Sequence, residues 1–98
     1  MIKYALFARF EAKPGKETEV AAFLQQGLQL SQDEPLTKQW YALKLSDRVF
    51  GVFDTFETED GRQAHLSGKI AQALMANAPD LFIGAPTIER IDILGAKL

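Results

Sequence analysis

Pro14-Gly15 separates two stretches whose apolar residues repeat with different periods, and this change constrains the fold more than any other feature of the chain. Before it, Ile2 to Ala12 is dense in apolar and aromatic residues and too short for a typical helix, which predicts a strand. After it, Val20, Phe23, Leu24 and Leu28 recur at three- and four-residue spacing with Glu17, Glu19, Gln25 and Gln29 opposite, so an amphipathic helix is expected from Lys16 to near Leu30. Asp33-Glu34-Pro35 reads as a turn, and Thr37 to Leu45 with Val49 to Glu57 reads as a hairpin around Ser46-Asp47-Arg48. Thr58 followed by Glu59 and Asp60 predicts a capped second helix. Its core face is traced by Ala64, Gly68, Ala71, Leu74, Met75 and Ala78, and Pro79 is expected to end it. Thr87 to Leu94 is a last predicted strand.

The order β-α-β-β-α-β matches the split βαβ or ferredoxin-like arrangement, an α+β class in which both helices cover one sheet face. With 98 residues and no linker-like stretch, residues 1–98 are expected to form one domain. A chain of this length buries only about 60 to 65% of its unfolded surface, so a sheet apolar on both faces needs outside cover. The 11 basic and 13 acidic residues are spread along the chain and leave no footprint for nucleic acid or anionic membrane. Without cysteine and with one histidine, no protein-only metal site is expected. Lys3 and Arg9 interrupt the N-terminal apolar run, which argues against a signal peptide, and no run is long enough for a spanning helix. A soluble cytoplasmic protein is expected. Neither glycine turn has phosphate-loop spacing, and the serines lack a nucleophile-elbow context.

Strand periodicity assigns side chains to faces. On the first strand, Tyr4, Leu6, Ala8 and Phe10 suit the helices, leaving Lys3, Ala5, Phe7, Arg9 and Glu11 on the open face. An unpaired carboxylate under helices costs several kcal/mol, which places Asp54 on the open face together with Phe50, Val52 and Phe56. The same rule places Trp40, Ala42 and Lys44, and Ile88, Arg90, Asp92 and Leu94, on that face, with Tyr41, Leu43, Leu45, Ile91 and Ile93 in the core. The predicted open face thus joins Phe7, Phe50, Phe56 and Trp40 to Arg9, Asp54, Arg90 and Asp92. Such a surface is too apolar for water, which points to a homodimer enclosing a site for a small apolar or aromatic molecule. A cross-strand ion pair accounts for Arg9 and Asp54 as well, and a dimer core for the aromatics. His65 is expected off the core-facing stripe, as a surface or capping residue or as the one side chain suited to proton exchange near neutrality.

The run Phe7-Ala-Arg-Phe-Glu-Ala-Lys-Pro-Gly-Lys16, the Glu34-Pro35 turn followed by Trp40, and Phe53-Asp-Thr-Phe-Glu57 followed by Ala64-His65-Leu66 resemble the antibiotic biosynthesis monooxygenase family over nearly the whole chain. The sequence departs from that pattern at Leu36, where the family has glycine, at Asp54-Thr55-Phe56, where it has Glu-x-Trp, and at Ile70, where a second histidine is frequent. The resemblance implies a dimeric α+β barrel. It also implies oxygenation of a phenol- or quinol-like substrate without flavin or metal, with Trp40 and Arg9 matching the residues that hold an aromatic substrate and His65 matching the family's histidine. Joined to the face assignment, this makes His65, Asp54 and Arg9 the catalytic candidates, as base His65 or the Arg9–Asp54 pair, and puts Trp40, Phe7, Phe50, Phe56 and Arg90 around the substrate. The family includes haem-degrading enzymes and an isomerase, so haem on His65, a cofactor-free isomerase and a non-catalytic binding barrel are the alternatives it leaves open.

Overall fold

The computed structural model describes residues 1–98. The strands are β1 (Tyr4–Ala12), β2 (Thr37–Lys44), β3 (Val49–Phe56) and β4 (Phe82–Asp92), and the helices are α1 (Glu17–Gln32), α2 (Glu59–Leu66) and α3 (Lys69–Leu81). The sheet order is β2-β3-β1-β4, antiparallel throughout, as the βαββαβ reading requires. No helix is long and apolar enough to cross a membrane.

The boundaries depart from expectation at several points, three of them for evident local reasons. The predicted second helix is two helices, because the chain turns at Ser67-Gly68 and Gly68 becomes the N-cap of α3. Pro79 lies inside α3 rather than ending it. At that position a proline forfeits only the bond to the carbonyl of Met75, a residue that is exposed rather than on the expected core face. β4 begins at Phe82 instead of Thr87, since Phe82 is buried and its ring stacks on Phe10 at 4.8 Å. α1 extends to Gln32. Thr58 caps α2 as expected, its hydroxyl accepting the Gly61 N–H at 3.0 Å.

The face assignment holds for β1 and is reversed for the other three strands. Antiparallel pairing sets Leu6 opposite Asp54, Ala8 opposite Val52 and Phe10 opposite Phe50, with Trp40 opposite Asp54 and Ala42 opposite Val52 on the far side. Arg90 and Ile88 lie opposite Leu6 and Ala8. Residues directly opposite share a face, so Asp54, Phe50, Phe56, Trp40, Arg90 and Asp92 all lie on the helix side. The core there joins Phe10, Phe50, Val52 and Phe82 to Val20 and Leu24 of α1 and to Leu74, Ala78 and Leu81 of α3. Tyr41, Leu43 and Ile91, expected in the core, stand on the open face with Phe7, Phe53 and Arg9. Leu45 and Ile93 lie beyond the strands, and Leu45 is exposed.

Candidate functional site: a histidine held between two carboxylates

His65 is buried, contrary to the expected surface position, and it is what allows Asp54 to lie beneath the helices. The ring of this α2 residue reaches down to β3, where Nε2 donates to Asp54 Oδ2 at 2.8 Å. Its other nitrogen, Nδ1, donates to Glu34 Oε1 at 2.6 Å in the turn after α1. Thr37 at the start of β2 also donates its hydroxyl to Glu34 Oε1, at 2.9 Å. The Asp54 side chain is 2% exposed, that of His65 9% and that of Glu34 19%, so exposure rises along the chain of bonds. The Phe56 ring closes the remaining side, its centroid 5.4 Å from the imidazole.

Local sequence explains how α2 is aimed. Arg62, one turn before His65 on the same helix face, is also buried. Its Nη1 donates to the carbonyls of Ala5 at 3.3 Å and Ile91 at 3.2 Å, tying α2 to β1 and β4. Glu59 pairs with the same guanidinium, which stacks over the Tyr4 ring at 5.1 Å. A helix pinned at Arg62 fixes where His65 points.

Burial by itself would lower the pKa of His65, but hydrogen bonds and charge from Asp54, then Glu34, outweigh it and hold the imidazole above its usual range. Burial raises the Asp54 pKa, and the His65 contacts offset that only in part. The triad therefore holds its protons tightly. Because the ring nitrogens point to opposite sides, the two carboxylates do not converge, and no group of metal-ligating side chains gathers around a common point. Haem fits no better, since both nitrogens of His65 are engaged and neither offers an iron a lone pair.

Asp54 and His65 form the polar end of a cavity of about 290 Å³ between α1, α3 and the sheet. Thirteen of its eighteen lining residues are hydrophobic, among them Phe23, Leu24, Trp40, Val52, Ile70 and Leu74. Gly27 of α1 lets the helix pass close over the indole, for a Cβ there would lie 3.1 Å from the Trp40 ring. Two buried polar atoms on residues of this wall have no hydrogen-bond partner: Trp40 Nε1 and Asp54 Oδ1. They belong to cross-strand neighbours and offer one donor and one acceptor.

Of the residues expected at the site, the structure brings together His65, Asp54 and Trp40. Phe56 packs against His65, and Phe50 is buried in the core. Arg9 and Phe7 lie on the opposite face, so the Arg9–Asp54 pair does not form. Arg90 sits at the sheet edge, paired with Glu59 at 3.3 Å, outside the cavity. Glu34, Arg62, Gln26 and Asn77 were not anticipated. Only Glu34 carried a signal in the sequence, as an acid in a turn before a strand.

No family model matches the chain, and no curated protein matches it. Solved structures do. A Nitrosomonas europaea protein of unknown function, NE2512, is 54% identical, with a TM-score of 0.98 over 100% of this chain and 95% of its own. A proposed antibiotic biosynthesis monooxygenase from the same organism superposes with a TM-score of 0.81 at 15% identity, covering 94% of this chain and 90% of its own. One from Caulobacter crescentus does so with 0.77 at 20% identity, covering 96% and 92%. At those lower identities what is shared is the fold. The chain belongs to the family of NE2512 and has the fold of the antibiotic biosynthesis monooxygenase-like proteins.

Proposed function

We propose that this protein is a cofactor-independent monooxygenase that binds a small phenol or quinol in the cavity between α1, α3 and the sheet. The observation that carries this reading is the buried Asp54–His65 pair at the polar end of an otherwise apolar cavity. A hydroxyl seated there accepts from Trp40 Nε1 and donates to Asp54 Oδ1, satisfying both unpartnered atoms, each of which costs about 1 to 3 kcal/mol while unmet. The aromatic ring lies among Leu24, Leu74 and Val52. The monooxygenase fold supports the choice of reaction.

In the proposed step Asp54 takes the hydroxyl proton with His65 bonded to its other oxygen, leaving a phenolate whose ring is electron-rich. The ring gives electrons to molecular oxygen and forms a new carbon–oxygen bond. The second oxygen atom leaves as water, carrying the O–H proton and the hydrogen lost from the ring carbon, so that phenol and oxygen yield quinone and water. A positioned base typically contributes about 10² to 10⁴ in rate. Excluding water from the cavity protects the intermediate.

The test is oxygen-electrode kinetics on a panel of phenols and quinols, corrected for autoxidation, with wild type, Asp54→Asn and His65→Gln. Enzyme-dependent uptake that falls about 10²-fold or more in both variants is the expected result. Saturable binding with no uptake on any member would replace this reading with a non-catalytic binding barrel, and rearranged product without uptake with an isomerase.

A homodimer through the open sheet face is part of the same proposal. Phe7, Phe53, Tyr41, Leu43 and Ile91 share that face, and no element of the chain covers it. Light scattering at low micromolar concentration checks it, and a folded monomer would refute it.

A further inference from the structure

Behind His65, on the side away from the apolar cavity, lies a second recess of about 330 Å³. Glu34, Thr37, Gly61, Gly68 and Lys69 are among its walls, and only three of its eleven lining residues are hydrophobic. The two spaces share Leu30 and His65, so the imidazole is part of the partition between them. We infer that protons and substrate use separate doors: a proton released in the cavity leaves through Asp54, His65 and Glu34 into this recess, while the apolar cavity admits only the organic molecule. The inference rests on the proton-transfer role proposed above for Asp54 and His65.

Three observations carry it. A cavity filled by an aromatic ring has no water to take the proton, so the proton needs a path through side chains. The imidazole supplies that path, with a carboxylate oxygen 2.8 Å from one nitrogen and another 2.6 Å from the opposite nitrogen. Glu34 is the most exposed of the three groups and lines only the outer recess. A carboxylate placed merely to orient the ring could be replaced by any acceptor, but only a carboxylate can take the Nδ1 proton and pass it to water.

Glu34 is also held on both oxygens. Oε1 accepts from Thr37 and His65. Oε2 rests against Gly68, where a Cβ would come within 2.9 Å of it, and this close approach accounts for glycine at that point. The proton count closes at each step. Asp54 receives the substrate proton on Oδ1, the imidazolium keeps its Nε2 proton while Nδ1 releases one to Glu34, and Glu34 releases one to water in the recess. The reverse sequence resets the ring and returns a proton to the departing oxygen. Glu34 is thus a positioning and relay residue that acts through His65, with Asp33 and Lys69 as the other charged groups of the recess.

The chain has one histidine, so its ring protons give unambiguous NMR signals whose exchange with water can be followed without turnover. The cavity is blocked by naphthalene, which has no exchangeable proton, and separately by Ala73→Phe at the cavity wall. In the wild-type protein blocking should leave the exchange rate unchanged. Glu34→Gln should slow it by about tenfold or more with the cavity blocked, and Glu34→Asp should recover part of the rate. Gly68→Ala, which displaces Glu34 without removing its charge, should also slow it and serves if Glu34→Gln does not fold. Exchange that is stopped by blocking the wild-type cavity and indifferent to Glu34→Gln would overturn the inference, since the proton would then leave by the substrate's door. Oxygen uptake is read separately, so a protein without turnover whose exchange still depends on Glu34 contradicts the proposed oxygenase and not the relay.

Discussion

Both faces of this sheet carry large apolar residues, but only one gathers polar groups among them. Under the helices, Phe10, Phe50 and Val52 pack a core, and beside them Asp54, His65 and Trp40 form the polar end of a cavity. On the open face, Phe7, Phe53, Tyr41, Leu43 and Ile91 gather no comparable polar cluster. Burial explains the division. Charge interactions gain strength where water is excluded, so a proton-transfer group is more effective beneath the helices, provided that each charge there has a partner. The open face can serve assembly without any such cost.

Substitutions of matched residues give the largest expected contrast. Phe50→Ala should cost about 3 to 5 kcal/mol in urea denaturation, a loss relative to wild type that is the same at every protein concentration, because it empties the core. Phe53→Ala, one pleat away on the open face, should cost less in dilute protein and act mainly through concentration-dependent assembly. Equal, concentration-independent losses would erase the distinction between the faces.

His65→Leu should cost about 3 kcal/mol at neutral pH, since it leaves Asp54 buried and facing Glu34 without a cation between them. The loss should shrink in acid, where Asp54 takes up a proton readily because burial raises its pKa. Chemical denaturation of both proteins at two pH values measures this, and a neutral-pH loss near zero would show that the carboxylates do not need the imidazole.

A smaller effect is the pH dependence of the wild-type protein. The folded pKa of His65 is raised above its unfolded value, despite the opposing desolvation, by its bonds to Asp54 and then Glu34. Its contribution is therefore complete below about 6.5 and is lost as pH rises through the folded value. Thermal melts should fall in stability from that point upward in wild type and show no matching slope in His65→Gln. Parallel profiles would contradict the assigned direction. The smallest expected change is Gly68→Ala, which should cost about 1 kcal/mol by crowding Glu34 and should move the His65 pKa back toward its ordinary value. An unchanged His65 titration would show that Glu34 tolerates the methyl group.

The element order, the first-strand faces and the Thr58 cap were legible because each depends on local spacing or turn chemistry. The faces of β2, β3 and β4 were not, and the cause is one residue. The cost of burying a lone carboxylate points Asp54 to the open face, and His65 offsets part of that cost by bonding it. Three large apolar residues, Phe50, Val52 and Phe56, pointed the other way and were correct. Reversing β3 reverses its hairpin partner β2 as well, which carried Trp40 to the helix side, while the charge rule that misplaced Asp54 also misplaced Arg90 and Asp92 on β4. Glu34 remained hidden because its partner lies 31 residues away and no spacing connects a turn acid to a helix histidine. Arg62 was hidden for a related reason, since an arginine that satisfies strand carbonyls looks like any helix-surface arginine until the helix is docked.

The most direct test of which face does the chemistry is to map where an aromatic hydroxy compound binds, by NMR titration of labelled protein with 1-naphthol. The account predicts saturable shifts at His65, at the Trp40 indole N–H and at the methyl groups of Leu24, Val52 and Leu74, with Phe7, Tyr41 and Leu43 unaffected. Shifts confined to the open-face residues, or none up to the solubility limit, would contradict it.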